Sequence, residues 1–233
     1  MSLLGHYVYN IRNSPRAGQG NSDDNKLTPK NIEYWVKYHR AAIVDEMAEA
    51  GKRLDNSLMQ DLGIVPLEDI DMTDQDCNKY LQWGCKIKKV IIPKPISTKL
   101  DGAPTLWVGF IDKLTPIAIS HPNAVFFRER GMFGKGMNRA WLIGDRLYIS
   151  FKDTFKNTKY VNIRGIFQDP TEAFNYATPG CDKNCFNKLT DDYPLTDAIY
   201  KRIVERIFRL ELNIVANTNT DEVNDGRDST QKV

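Results

Sequence analysis

The chain has 233 residues, a length that accommodates one or two ordinary domains and excludes a large multidomain machine within a single polypeptide. Its composition, 41% hydrophobic and 27% charged, is typical of soluble globular proteins, so we expect a folded chain with a sizeable core. No apolar run approaches the roughly 18 residues of a membrane span, and we therefore expect no membrane partner.

A formal net charge of +2 conceals a strong segregation of charge along the chain. The segment from Lys86 to Gly165 holds 15 basic and 5 acidic residues, whereas the two flanks together hold 17 basic and 25 acidic residues. A basic middle of charge +10 thus lies between flanks of charge −8. A polyanion or an acidic region of a neighbouring copy would suit this pattern, because complementary charge steers association. The alternative is a solvated basic face that binds nothing.

The beginning of the chain is predicted to be helical. Apolar side chains recur at helical spacing within the first dozen residues and predict a short amphipathic helix. A turn-rich arm follows, as far as Lys26. Thr28 can cap a helix and Pro29 suits its first position, so a long helix is predicted from there to Gly51, where a left-handed cap is easily adopted.

Two shorter elements are predicted after this helix. Leu54, Leu58 and Leu62 continue a helical spacing and predict a second helix that ends at Gly63. The apolar and acidic residues 64–70 then indicate extended chain. The predicted character of the sequence changes to β-structure beyond this point.

The middle of the chain predicts about six or seven short strands, because β-branched and aromatic runs alternate with Pro, Gly, Asn and Asp clusters. The clearest hairpin turns at Gly144 and Asp145, since glycine at the first loop position suits a tight turn. The predicted strands are Ile87 to Ile92, Thr105 to Ile111, Ile117 to Ser120, Val125 to Phe127, Ala140 to Ile143, Arg146 to Phe151 and Tyr160 to Ile166.

Helical structure is predicted to return after the last strand. Asp169 can cap a helical turn that begins at Pro170. A long amphipathic helix is predicted from Thr196 to Ile214, with a wide apolar stripe on one side and basic residues opposite. The polar residues from 217 onward cannot bury enough surface to order themselves, and we expect a tail that only a partner would hold.

The order of the elements predicts an α+β protein in which N-terminal helices and a long C-terminal helix flank a central antiparallel β domain. No internal repeat with a solenoid period is present. The expected parts are an N-terminal helix and arm at 1–26, a discontinuous helical part at 27–85 and 166–216, an inserted basic β domain at 86–165, and a flexible polar tail at 217–233.

The cysteines predict free thiols in a reducing compartment. The N-terminal ten residues lack the basic and apolar regions of a secretory leader, so we expect no signal peptide. The four cysteines form two local pairs, Cys77 with Cys85 and Cys181 with Cys185. Their gaps differ from the two-residue gap of zinc knuckles, and we therefore expect no metal site.

No pattern of catalytic residues stands out. The glycine-rich piece from Gly131 to Gly136 lacks the spacing and the hydroxyl of a phosphate-binding loop. The three histidines, His6, His39 and His121, are too few for a metal triad and lie where structural roles are favoured. Aromatic residues interleaved in the basic middle are compatible with a stacking platform for single-stranded nucleic acid, but strand alternation favours their burial as core. We therefore expect neither an enzyme nor a cofactor.

The segments that bound the basic middle carry a family resemblance. Residues 9–13, 22–28 and 32–41, with residues 165–173 and 193–195, resemble structural proteins of tailed bacteriophages. They are most similar to the neck or ring proteins of the crAss-like podoviruses that infect gut Bacteroidetes. The strand region between them matches only in general character, and none of these segments is a catalytic motif.

The resemblance implies a non-enzymatic virion protein, a head-to-tail connector subunit. Its copies would form a ring, twelvefold in symmetry, that docks under the portal as an adaptor and extends the DNA channel toward the tail for genome ejection. Expected partners are the chain itself, the portal, neighbouring tail ring proteins and, without sequence specificity, genomic DNA. The chain would be made in the host cytoplasm and incorporated at the head-tail junction of the virion. A soluble DNA-associated protein that uses the basic β domain is the alternative.

Eight basic residues are the candidate charged interface or channel lining. Opposite charges on copies arranged head to tail suit a heterologous contact that closes into a ring. The candidates are Lys86, Lys88, Lys89, Lys94, Arg128, Arg130, Lys135 and Arg139.

Overall fold

The computed structural model describes residues 3–14, 28–70, 87–96, 105–120, 138–178, 180 and 185–212. These residues form four α-helices, α1 Leu4–Arg12, α2 Pro29–Glu49, α3 Pro170–Ala177 and α4 Asp197–Arg206, and eight strands. The strands are β1 Gln60–Pro66, β2 Glu68–Asp69, β3 Ile87–Ile91, β4 Leu106–Gly109, β5 Pro116–Ile119, β6 Arg139–Ile143, β7 Arg146–Ser150 and β8 Tyr160–Gly165.

The chain divides into two compact units. One, here called the helical unit, comprises Met1–Val44 and Asn187–Val233, and the other, here called the sheet unit, comprises Asp45–Phe186. The sheet unit contains the eight strands and α3.

The helix starts follow the capping residues. The Thr28 hydroxyl accepts a hydrogen bond from the Asn31 amide at 3.2 Å, and Gly51 adopts a φ of +65° just after α2. Asp169 caps α3 by accepting from the Thr171 amide at 2.8 Å. These starts and the end of α2 confirm the sequence predictions.

In the helical unit, α1 packs closely against residues near the C-terminal helix. The rings of Tyr7 and Tyr200 lie 4.3 Å apart, and the Gly5 amide donates to the Lys188 carbonyl at 3.0 Å. A side chain at Gly5 would lie within 2.7 Å of Leu189, so the absence of a Cβ permits this approach. The buried apolar residues of the unit are Leu4, Tyr7, Ile11, Ile32, Val36, Ile43, Val44, Tyr193, Leu195, Ile199, Ile203 and Ile207.

The sheet has the strand order β1-β8-β4-β5-β6-β7-β3-β2. Its two outermost strands, β1 and β2, are separated in sequence by Leu67 alone, and the Leu67 amide donates to the Lys159 carbonyl at 2.8 Å. One continuous stretch of chain therefore pairs with β8 along β1 and with β3 along β2. The sheet consequently curls into a nearly closed barrel.

The pairing confirms an α+β fold and adds one exception to the predicted antiparallel arrangement. All neighbouring strands are antiparallel except β5 and β6, where Ala118 pairs with Arg139 and Ile119 with Ala140 in a parallel register. The sheet is therefore mixed. Parallel pairing needs a long crossover connection, and residues 120–138 separate these two strands.

The β6–β7 hairpin shows how the sheet is buried on both faces. It turns at Gly144, whose φ of +66° agrees with the predicted tight turn. Trp141 pairs with Tyr148, and their stacked rings lie 5.8 Å apart in a small cluster with Ile70 and Ile87. The alternate residues enter the main core, which comprises Leu62, Val65, Val90, Ile92, Leu106, Val108, Ile117, Ala140, Leu147, Ile149, Phe151, Val161, Ile163, Phe167 and Ala173.

The helix predicted across Leu54, Leu58 and Leu62 is wrong. Asp55 caps a single 3-10 turn at Asn56–Leu58, and strand β1 begins at Gln60. A short polar residue such as Asp competes for backbone amides and favours such turns. Leu62 is buried in the sheet core, and this tertiary contact overrides the helical spacing.

Three other predictions fall wholly or mostly outside the described residues: the arm before Lys26, the strand Val125 to Phe127 and the polar tail. The C-terminal helix begins at the predicted Thr196 cap, whose hydroxyl accepts from the Ile199 amide at 3.4 Å. Its continuation is π-helical over Ile207–Leu212.

Candidate functional site: charged and aromatic surfaces

Half of the eight candidate basic residues lie in the described part of the chain. Lys88 and Lys89 lie on β3, Lys94 follows that strand, and Arg139 begins β6. The remaining candidates, Lys86, Arg128, Arg130 and Lys135, lie outside the described residues.

The two β3 lysines face an acidic edge strand. Lys88 pairs in register with Asp69, and its Nζ atom lies 2.9 Å from the Asp69 carboxylate. The Lys88 side chain is 10% exposed, whereas that of Asp69 is 84% exposed. Lys89 pairs in register with Glu68. Opposite charges directly across a strand pair stabilise the pairing, so the β2–β3 edge internally compensates much of this basic charge.

Of the four described candidates, Lys94 is the one that is exposed to solvent. It lies between the buried residues Pro93 and Pro95, and its carbonyl accepts from the Gln168 amide at 2.9 Å. Each flanking proline fixes its own φ, and Pro95 also restricts the backbone of Lys94 before it, so the backbone at Lys94 has little conformational freedom.

Arg139 is buried instead of exposed. Only 6% of its surface is accessible, and its Nη1 atom has no hydrogen-bond partner in the described part of the chain. A buried charge without a counter-charge is costly. The basic character of Arg139 is therefore not available on the surface of the isolated chain.

A second basic element, not singled out in the sequence prediction, connects β7 with β8. Lys152, Lys156 and Lys159 are all exposed on this nine-residue connection. Phe155, 42% exposed, lies between them. The sequence holds a signal for this basic connection. Three lysines lie within eight residues, between two runs that strongly favour β-structure.

Aromatic residues are exposed on the helical unit. Tyr34 and Tyr38 are one helical turn apart on α2, 65% and 57% exposed, and their rings stack at 6.2 Å. Tyr9 on α1 is 64% exposed. Tyrosine is enriched at protein interfaces, because it offers a large rigid surface at low entropic cost.

Buried polar contacts link distant segments of the helical unit. His39 is 3% exposed, and its Nε2 atom lies 3.1 Å from a carboxylate oxygen of Glu211 in the π-helical segment. Arg40 is fully buried and donates through Nε to the Pro194 carbonyl at 2.9 Å. A π-helical turn often marks a functional or strained position, and here it brings a carboxylate to a buried imidazole.

A polar cluster surrounds Asp61 at the β-bulge of β1. Its carboxylate accepts from the Gly63 amide at 2.8 Å and from Arg164 Nε at 3.0 Å, and Lys113 Nζ lies at 3.4 Å. Partial burial raises the pKa of Asp61, but the amide hydrogen bond and the two cations outweigh it, so the pKa lies below its ordinary value. The Gly63 φ of +75° permits this turn.

Neither a metal centre nor a membrane span is found in the described part of the chain. No group of three or more His, Cys, Asp or Glu residues there could hold a metal ion. None of its helices is long and apolar enough to cross a membrane.

Cys185 is disulfide-bonded, so the expectation of free thiols is wrong at this position, while the other cysteines lie outside the described residues. An open cleft of about 450 Å³ beside the start of α4 contains His6 and Asp197.

A comparison with protein families shows which family the chain is similar to. A crAss phage family model described as phage tail ring protein 2 matches residues 7–230, which is nearly the whole chain. No curated protein matches the chain.

Proposed function

The chain belongs to the phage tail ring protein 2 family of crAss-like phages, and from this premise we propose that it is a head-to-tail connector subunit. Membership makes it a structural component of the virion that assembles into a ring with other tail components. We propose in addition that the ring is twelvefold, that it docks under the portal at the head-tail junction, and that it extends the DNA channel toward the tail. The chain is made in the host cytoplasm before assembly.

The family match over residues 7–230 is the observation that carries this proposal. Two features of the molecule support it. The exposed tyrosines on α1 and α2 offer surface for a neighbouring subunit. The segregation of +10 in the middle from −8 in the flanks suits copies that meet head to tail and close into a ring. A structural family also favours a role without catalysis.

The eight candidate basic residues remain part of the proposal as a charged interface or channel lining. Lys94 supports it most directly, since it is exposed and held by the flanking prolines. Lys88 would contribute through its pair with Asp69, which leaves a carboxylate at the surface. Arg139 would contribute only where a neighbouring subunit supplies an anion.

Co-sedimentation with purified portal rings, followed by imaging of the pelleted particles, tests the proposal. A symmetric collar of twelve copies at one end of the portal is the expected result. Failure of the chain to bind the portal at physiological salt would refute direct docking, while a ring that forms only with other tail proteins would move the subunit further along the tail. The control is the same sedimentation without portal, which detects self-association.

The basic middle favours one alternative, a soluble DNA-associated protein. This alternative predicts tight binding of the isolated chain to duplex DNA at physiological salt, with an affinity that falls steeply as salt rises. A connector subunit predicts little affinity under the same conditions, because many copies must act together in the ring. Titration of labelled duplex DNA with the isolated chain separates the two.

A further inference from the structure

The connection between β7 and β8 displays positive charge that the described part of the chain does not compensate. Lys152, Lys156 and Lys159, here called the lysine loop, are exposed, and their side chains make no ion pair or hydrogen bond there. Lys88 differs, since it is mostly buried and pairs with Asp69. The connection also contains one acidic residue, Asp153, so its formal net charge is +2, and three exposed ammonium groups are available for a partner.

The backbone of the lysine loop is held in place. The Lys152 carbonyl accepts from the Phe155 amide at 2.8 Å, within the 3-10 turn Asp153–Phe155. The Lys159 carbonyl accepts from the Leu67 amide at 2.8 Å at the point where the barrel closes. The Phe155 ring lies 4.9 Å from that of Phe110. The backbone that carries the three lysines is thus fixed, while their long side chains let the ammonium groups move.

We propose that the lysine loop contacts the phosphate backbone of the double-stranded DNA that passes through the ring. This inference rests on the proposed connector function, and it names the residues that meet the genome. Lysine is depleted and arginine enriched in protein interfaces, and the loop contains lysines without an arginine. Ammonium groups act on phosphates as point charges and carry no base specificity. Contacts of this kind suit a genome that slides past without being read.

The test compares the salt dependence of DNA binding for two full-length variants that lose equal charge. The variants are K152Q/K156Q/K159Q and the matched control K30Q/K52Q/K201Q, whose lysines are also exposed and without ion pairs in the described residues. Binding of labelled mixed-sequence duplex DNA is followed by fluorescence anisotropy over a series of salt concentrations that starts at low ionic strength. Each phosphate contact contributes about 0.9 to the slope of log affinity against log salt, so the lysine-loop variant should lose about 2.7 of the slope. The control should keep the wild-type slope.

Every other outcome overturns the inference. Equal losses in the two variants would assign the binding to overall charge. A lysine-loop variant that binds DNA like the wild type but fails to form the collar would assign the loop to a protein interface. A wild-type chain that never forms a collar would refute the connector function itself, whereas a normal collar with an unchanged DNA slope in the variant would refute only the lysine-loop assignment. Far-UV circular dichroism of both variants confirms that they are folded.

Discussion

The helical unit and the sheet unit each bury an arginine, and the contacts of the two differ. Each has one terminal nitrogen, Nη2 in Arg40 and Nη1 in Arg139, that makes no hydrogen bond to the described residues. In the helical unit, Arg40 donates to the Pro194 carbonyl, and the neighbouring His39 faces Glu211. In the sheet unit, Arg139 is buried on β6, and its Nη1 atom has no partner among the described residues. Both units have an apolar core. In the helical unit, directional polar contacts also join segments that are far apart in sequence, whereas in the sheet unit backbone pairing between strands joins them.

The largest loss of stability is expected from a cavity in the core of the sheet unit. Ile163 is fully buried on β8, between β1 and β4 in the sheet. Replacing it with alanine should lower the free energy of unfolding by about 2 to 5 kcal/mol, because the lost transfer energy and the cavity add together. Urea unfolding followed by tryptophan fluorescence measures the change. Ile64→Ala on the neighbouring strand, where the side chain is 56% exposed, is the control and should change stability little.

The two buried arginines provide the most direct test. Arg40→Met should destabilise the protein by about 1.5 to 3 kcal/mol, since it removes a charged hydrogen bond and leaves the Pro194 carbonyl without its donor. Arg139→Met should be neutral or stabilising by about 1 kcal/mol, because an apolar side chain replaces a buried charge. Unfolding curves of the two variants, measured side by side, show whether each substitution lowers or raises the free energy of unfolding. A strong destabilisation by Arg139→Met would show that this arginine has an essential partner within the chain.

Elements defined by local chemistry could be predicted from the sequence. The start of α2 at Thr28 and Pro29, its end at Gly51 and the turn at Gly144 each depend on residues a few positions apart, and all were predicted correctly. Six of the seven predicted strands are present, and the seventh lies outside the described residues.

Elements that depend on distant partners could not be predicted in this way. Leu62 has helical spacing from Leu58 but lies in a strand because β8 pairs with β1. The parallel pairing of β5 with β6 and the contact of His39 with Glu211 join residues too far apart for periodicity to detect. The same holds for the candidate site, since charge counting identified the basic middle but not that Arg139 is buried while Lys152 is exposed.

Acid is expected to cause a smaller loss of stability, through protonation of Asp61. The pKa of Asp61 is lowered in the folded state, so its contribution is complete above the unfolded value of about 3.9 and is lost as the pH falls through the folded pKa. The side chain is 38% exposed, which limits the contribution to about 0.5 to 1 kcal/mol. Asp61→Asn should remove this contribution to stability at neutral pH. The stability of the variant should therefore fall less steeply as the pH is lowered. Asp145→Asn, at an exposed hairpin turn, is the control and should leave the pH profile unchanged.

The smallest effect on stability, and a large one on assembly, is expected at the exposed tyrosines of α2. Tyr34 and Tyr38 are more than half exposed, so a double serine variant should change the free energy of unfolding by less than about 0.5 kcal/mol. If the proposed ring is formed through this surface, the same variant should fail to enter the collar on portal rings, because the aromatic contact area is lost. The double phenylalanine variant keeps that area and should still assemble. A serine variant that assembles normally would place the subunit contact at another surface of the chain.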